Sequence, residues 1–386
     1  MPTVPRSLFR LLFHADAHFD RAFRAVRLGL GIARPLQILP YRGWGTERRV
    51  CIKARVQEDR QVPPPARRHL LGTAMASYKR YATLEIPDAL VRVTWQERTW
   101  DARTDDEGFV ELWVEPPAGV EAGWHAVSLE LVEPVDARHP CPRALAPVLV
   151  AGDDAEYGVI SDIDDTVIVT GVTNVLKRAY ALFLTEHRTR IPFEGVGEFY
   201  AGLHDGRSDR ARNPIFYVSS SPWNLYEHLD HFLAVHEIPP GPILLRDWGL
   251  SRTGFAPGGG HGHKLQKIRD VLDNMAPMRF VLIGDSGQED AEHYRTIVEE
   301  YGDRILAVYI RVAHSRAGRH DELDRIAAAV HRLGVEMVVV EDTVTAARHA
   351  AQMGLIRWDE VERVDEQKHR DEEEPGILED ILGGEG

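Results

Sequence analysis

Two aspartates spaced two positions apart, Asp162 and Asp164, follow the apolar run Tyr157-Gly158-Val159-Ile160. In an extended chain such residues point to the same side. Two carboxylates facing one crevice repel, so they either share a proton or hold a cation between them. Taken alone, the pair is an acidic turn closing a strand. Three later stretches give it chemical company. Ser219-Ser220-Ser221 follows Ile215-Phe216-Tyr217-Val218, and hydroxyls with backbone N–H groups at a helix start can cradle an anion. A serine there also serves as an ordinary helix cap. Lys264 opens a helical stretch behind a glycine-rich run, and a compact ammonium suits a phosphoryl oxygen. Asp285 and Asp290 bracket the turn after Phe280-Val281-Leu282-Ile283. Hard oxygens from several loops, with positions left for water and phosphate, describe a magnesium site. His261 and His263 are not read as ligands, because a glycine loop makes a poor rigid platform.

Such groups need a frame that brings four distant segments together. Val148-Leu149-Val150, Val159-Ile160, Ile215–Val218, Arg279–Ile283, Ile305–Ile310 and Met337–Val340 are apolar runs of strand length. Helical stretches lie between them at Trp223–His236, Lys264–Met275, Asp290–Tyr301 and Glu322–Leu333. Alternating apolar strands and helices predict a parallel sheet covered on both faces. Sites in such sheets lie at the carboxyl ends of the strands. Each of the four polar segments stands directly after an apolar run or opens a helix. The set is specific where each piece is weak.

In chain order, Asp162-x-Asp164-x-Thr166, Ser219, Lys264 and Gly284-Asp285 with Asp290 match the four motifs of the haloacid-dehalogenase-like phosphatases. Ser219-Ser220-Ser221-Pro222-Trp223-Asn224, His263-Lys264 and Gly284-Asp285-Ser286-Gly287-Gln288 further resemble the catalytic domain of the actin-patch-protein type of phosphatidate phosphatase, akin to the lipins. The likeness covers about residues 146 to 350. It implies a haloacid-dehalogenase-like Rossmannoid fold and Mg2+-dependent hydrolysis of phosphatidate to diacylglycerol and phosphate. Asp162 would then be the nucleophile, forming an aspartyl-phosphate, and Asp164 the general acid and base. Ser219, Ser220, Thr166 and Lys264 would hold phosphoryl oxygens. Asp162, Asp164, Asp285 and Asp290 would form the metal site, with Asp290 a direct ligand, a water-mediated one or an anchor for Lys264. A soluble phosphomonoester as substrate is the alternative. A non-catalytic phosphatidate-sensing module is a third reading, and the presence of both Asp162 and Asp164 counts against it.

The rest of the chain divides by pattern. Residues 36 to 135 alternate in short strands such as Val50–Val56 and Trp124–Val132, separated by turns at Pro63-Pro64-Pro65 and Thr104–Gly108. This predicts a small antiparallel β-sandwich. Residues 1 to 35 show apolar residues at helical spacing among arginines. They predict a basic amphipathic helix, packed on its own protein or lying at a membrane surface.

Charge sharpens these limits. The 46 basic and 60 acidic residues give a net −14. A nucleic-acid partner is not expected without a basic surface to displace counterions. Residues 357 to 386 form an acidic C-terminal tail by composition. Two cysteines, and no apolar run of membrane-spanning length, fit a cytoplasmic protein, with peripheral membrane contact through residues 1–34.

Overall fold

The computed structural model describes residues 35–59, 85–135, 139–163, 194–208, 211–246, 261–286, 289–312 and 319–373. The amphipathic segment 1–34, Asp164 and Thr166 lie outside them. Described residues up to 150 make one compact unit and those from 151 onward make a second.

The first unit is antiparallel. Its strands are β1 (Leu36–Pro40), β2 (Gly43–Thr46), β3 (Val50–Glu58), β4 (Leu90–Trp95), β5 (Arg98–Arg103), β6 (Phe109–Val114), β7 (Gly123–Glu133) and β8 (Arg143–Ala151). They form one continuous hydrogen-bonded path, β1-β3-β2-β8-β7-β4-β5, with β6 added on β3. Period-two patterning fills its core with Val50, Ile52, Ala54 and Val56 from β3, Val91 and Val93 from β4, and Val127, Leu129 and Leu131 from β7. The acidic run after β5 is a turn, closed by Asp105 Oδ1 accepting from the N–H groups of Glu107 and Phe109 at 2.9 and 2.8 Å. Val148-Leu149-Val150 corrects the pattern reading. It ends β8 and pairs antiparallel with β7 instead of joining the parallel strands, since Val150 stands opposite Gly123. An apolar run alone does not tell which sheet it joins.

The second unit holds a six-stranded sheet in which every pair is parallel. Its strands are β9 (Gly158–Asp162), β10 (Ile215–Pro222), β11 (Ile243–Arg246), β12 (Phe280–Asp285), β13 (Ile305–Arg311) and β14 (Glu336–Val340). The helices are α1 (Val196–Asp205), α2 (Tyr226–Val235), α3 (His261–Asn274), α4 (Asp290–Tyr301), α5 (Arg319–Arg332), α6 (Thr343–Gln352) and α7 (Trp358–Glu373). Val159, Ile160, Phe216, Phe280, Val281, Leu282, Ala307 and Val308 are fully buried, which explains runs without polar alternation. Burying each of the larger side chains contributes about 1.5–3 kcal/mol. One helical layer is α3-α4-α5, and α1, α6 and α7 pack together as another. Of the acidic segment 357–386, residues 358–373 form α7, whose Val361 and Val364 are buried. Among the described residues no helix is long and apolar enough to cross a membrane.

Strand order decides where a site can form. The path is β11-β10-β9-β12-β13-β14, so the chain works outward from β9 to one edge and then restarts beside β9 with β12. The described helices that follow these strands, α1 after β9 and α4 after β12, belong to different layers, and such a switch point places a crevice at the strands' carboxyl ends. Asp162 ends β9 and Asp285 ends β12.

Candidate functional site

Register sets which way Asp162 points. Ser161 stands beside Tyr217 of β10 and Ile283 of β12, and Ile283 beside Tyr309 of β13. This row faces α1. The Tyr200 hydroxyl lies 2.6 Å from Ser161 Oγ, the Tyr200 ring stacks on Tyr217, and Phe199 meets Tyr309 edge-on. Successive strand residues alternate faces, so Asp162 turns the other way, toward α3 and α4. There it meets Lys264, in the first turn of α3, and Asp290, the first residue of α4.

Lys264 Nζ lies 2.9 Å from Asp162 Oδ1 and also donates to Asp290 Oδ1. The side chains of Lys264, Asp162 and Asp290 are 1%, 2% and 0% exposed. Burial works against the ammonium, but the charges of Asp162 and Asp290 outweigh it and hold Lys264 well above the usual lysine range. Asp290 is used twice, since its Oδ2 accepts from the backbone N–H of Asp285 at 3.1 Å. Carboxylate oxygens of Asp162, Asp285 and Asp290 all lie within 4.8 Å of one another. Three carboxylates against one ammonium leave two negative charges in this group. Hard oxygen donors with that residual charge fit a divalent cation such as Mg2+.

Ser219 is fully buried at the carboxyl end of β10 and its Oγ accepts from the Ser221 N–H at 2.9 Å. Ser220, next to it, is half-buried. The structure thus gathers Asp162, Lys264, Asp285 and Asp290 into one cluster and puts Ser219 and Ser220 at a neighbouring strand end of the same sheet. His263 lies outside this cluster, with Nε2 3.2 Å from the Leu245 carbonyl oxygen.

Several supporting residues escaped the sequence reading. Ser161 Oγ donates to the Asp162 carbonyl at 2.9 Å. Its one proton is then committed, so Tyr200 must donate to Ser161. Burial first, and then the charge of Asp162, push the Tyr200 phenol up to about 12 against the opposing bond from Ser161. It stays a donor through the neutral range. Tyr294 of α4 donates to the Ile283 carbonyl at 2.7 Å, and burial, with the Asp290 and Asp162 charges, holds its phenol well above the ordinary value. Both tyrosines are buried on helices, and the spacing of the sequence motifs does not single them out. A pocket beside the cluster is lined by Asp162, Asp285, Tyr200, Phe199, Arg311 and Val340, among others.

Gly284 is needed for space. A Cβ there would stand 2.6 Å from Asp290 Oδ2 and 2.8 Å from both Asp290 Cβ and Tyr294 Cε2. Gly284→Ala is expected to cost about 1–3 kcal/mol, as overpacking does, and to lower activity by displacing Asp290. Thermal unfolding together with phosphate release checks this. An alanine variant with unchanged Tm and rate would show that the contact relaxes freely.

Comparison with known proteins gives this geometry a context. Residues 157–312 match the family described as the phosphatidate phosphatase APP1 catalytic domain. A curated relative, phosphatidate phosphatase APP1 of Saccharomyces cerevisiae, is 34% identical over 169 residues, 43% of this chain and 28% of that protein. An uncharacterized protein of Schizosaccharomyces pombe is 27% identical over 155 residues, 40% of this chain and 24% of its own length. The chain thus spans only about a quarter of the length of these relatives. Among solved structures, a carbohydrate acetylesterase from Xanthomonas citri aligns at 10% identity over 76% of this chain and 65% of that one, with a TM-score of 0.27. So low a score carries no statement about fold. The family resemblance carried by the motifs is borne out over the segment that holds all the gathered carboxylates and Lys264.

Proposed function

We propose that the second unit is a haloacid-dehalogenase-like phosphatase domain that hydrolyses phosphatidate to diacylglycerol and phosphate. The observation that carries the reading is the buried Lys264 ammonium joining Asp162 to Asp290 at the strand crossover, with Asp285 alongside. The match of residues 157–312 to a phosphatidate phosphatase catalytic domain supports the substrate class.

Asp162 attacks phosphorus and forms an aspartyl-phosphate, which splits one difficult displacement into two easier ones. Lys264 holds the Asp162 carboxylate through Oδ1, and its charge balances phosphate approaching a carboxylate. Asp164, two residues on, protonates the departing alkoxide and then takes a proton from the water that cleaves the intermediate. Ser219 and Ser220, from the neighbouring strand end, hold phosphoryl oxygens together with Thr166. Asp162 and Asp285 would hold Mg2+, with Asp164 completing the set and Asp290 anchoring Lys264. When bound, the ion offsets the negative charge shared by phosphoryl group and carboxylates.

Phosphate release tests the proposal, measured on phosphatidate vesicles and on soluble phosphomonoesters. A chelator is expected to abolish release from both, and added Mg2+ to restore it. Full activity with chelator present would overturn the metal assignment. Equal turnover of soluble esters without vesicle binding would overturn the lipid assignment.

A further inference from the structure

Asp285 and Asp290, two of the clustered carboxylates, bracket a turn and are joined by the bond from the Asp285 N–H to Asp290 Oδ2 at 3.1 Å. A second set of contacts holds the same turn from outside. Ser286, directly after Asp285, donates its N–H to the Arg311 carbonyl at 2.8 Å. Its own carbonyl accepts from Arg319 Nε at 3.1 Å. The rest of the Arg319 guanidinium reaches past the turn to α4, where Nη1 and Nη2 meet the two carboxylate oxygens of Glu292, the second contact at 3.1 Å. Glu292 lies two residues after Asp290. Nη1 also donates to Glu322 at 2.9 Å. One planar group therefore spans both ends of the turn, bonded to Ser286 at its start and Glu292 just beyond its end. The paired contacts on Glu292 give the fixed orientation that a guanidinium offers and an ammonium does not.

We infer that Arg319 is a positioning residue for the carboxylates Asp285 and Asp290, fixing the spacing that a divalent cation and Lys264 require. This rests on the proposed function. Arg319 acts on the carboxylates through Ser286 and Glu292. Magnitudes separate the role from general stabilisation. The Arg319 side chain is 14% exposed, and its partners Glu292 and Glu322 are 36% and 54% exposed. Isolated pairs with carboxylates this exposed contribute little to global stability, and the two-oxygen contact on Glu292 adds a fixed geometry to that. Groups that orient metal ligands from behind typically change metal affinity or activity by about 10–100-fold.

The test is Mg2+ binding by calorimetry on the full chain without substrate, with phosphate release alongside. Arg319→Met is expected to weaken Mg2+ binding about 10–100-fold, with excess Mg2+ restoring most of the rate. Arg319→Lys should fall between, since it keeps the charge but loses the fork. Arg295→Gln, which breaks an exposed pair with Glu299 on the same helix, serves as control and should bind Mg2+ like wild type. If Arg319→Met does not fold, Glu292→Gln carries the test and should also weaken binding. Wild-type affinity in whichever of these two folds would overturn the inference while leaving the phosphatase reading intact. A wild-type protein that binds no Mg2+ and releases phosphate equally with chelator would overturn the metal assignment and this inference with it.

Discussion

The Asp162→Asn protein is expected to release phosphate at least about 10⁴-fold more slowly than wild type, as loss of a covalent nucleophile commonly does. The substitution keeps the shape of a side chain that is 2% exposed. It removes the negative charge and the nucleophilic oxygen together. Folding should survive, because Lys264 keeps its bond to Asp290. The loss therefore belongs to chemistry, and a rapid acid quench with labelled substrate isolates it. Wild type should retain phosphate on residue 162 and the variant none. The cluster also drops by one negative charge, so Mg2+ affinity should fall in parallel. A variant that turns over within about tenfold of wild type would sink covalent catalysis at this position, since removing only a supporting group costs more than that.

What the sequence could and could not show follows from how far apart the cooperating atoms are. Asp162, Lys264, Asp285 and Asp290 were readable because each follows a strand or opens a helix, and a parallel sheet collects such ends at one edge. The apolar runs of β10, β12, β13 and β14 were visible for the same reason, being buried on both faces. Their order was not. Nothing in the run Val281-Leu282-Ile283 tells that β12 pairs with β9 and not with β11. The pairing is what puts Asp285 beside Asp162.

Other parts were hidden by local ambiguity. The run Ile243-Leu244-Leu245 in β11 is too short to distinguish from a buried loop. Helix α7 is acidic enough to read as a solvated tail, although its Val361 and Val364 lie on one buried stripe. Tyr200 acts through Ser161 on the Asp162 carbonyl, and its partner is distant in sequence. A tyrosine on a buried helix face looks the same whether or not its hydroxyl has a task. Arg319 lies among many arginines, and its bonds to the Ser286 carbonyl and to Glu292, distant in sequence, distinguish it.

Lys264 makes the largest stability prediction, because its removal changes the balance of buried charge. Lys264→Met keeps the length of an apolar stem but leaves Asp162 and Asp290 facing each other without their shared ammonium. Breaking a buried ion pair by removing one partner costs about 3–5 kcal/mol. For a domain of this size that lowers Tm by roughly 6–20 °C. The sign with pH follows from linkage. In wild type the folded-state value of Lys264 is raised, so its contribution is complete below the unfolded value of 10.5 and is lost only as pH rises through the folded one. Wild-type stability should therefore owe no slope to Lys264 between about pH 5 and 9. In the variant a proton can substitute for the missing cation by neutralising one carboxylate. The deficit should be widest near neutral pH and narrow as pH falls toward about 5. Mg2+ should narrow it as well, by supplying charge to the same oxygens. Melting curves across pH, with and without Mg2+, decide the matter. A deficit that stays constant under both changes would mean that Lys264 acts through packing, and that the two carboxylates find their compensation elsewhere.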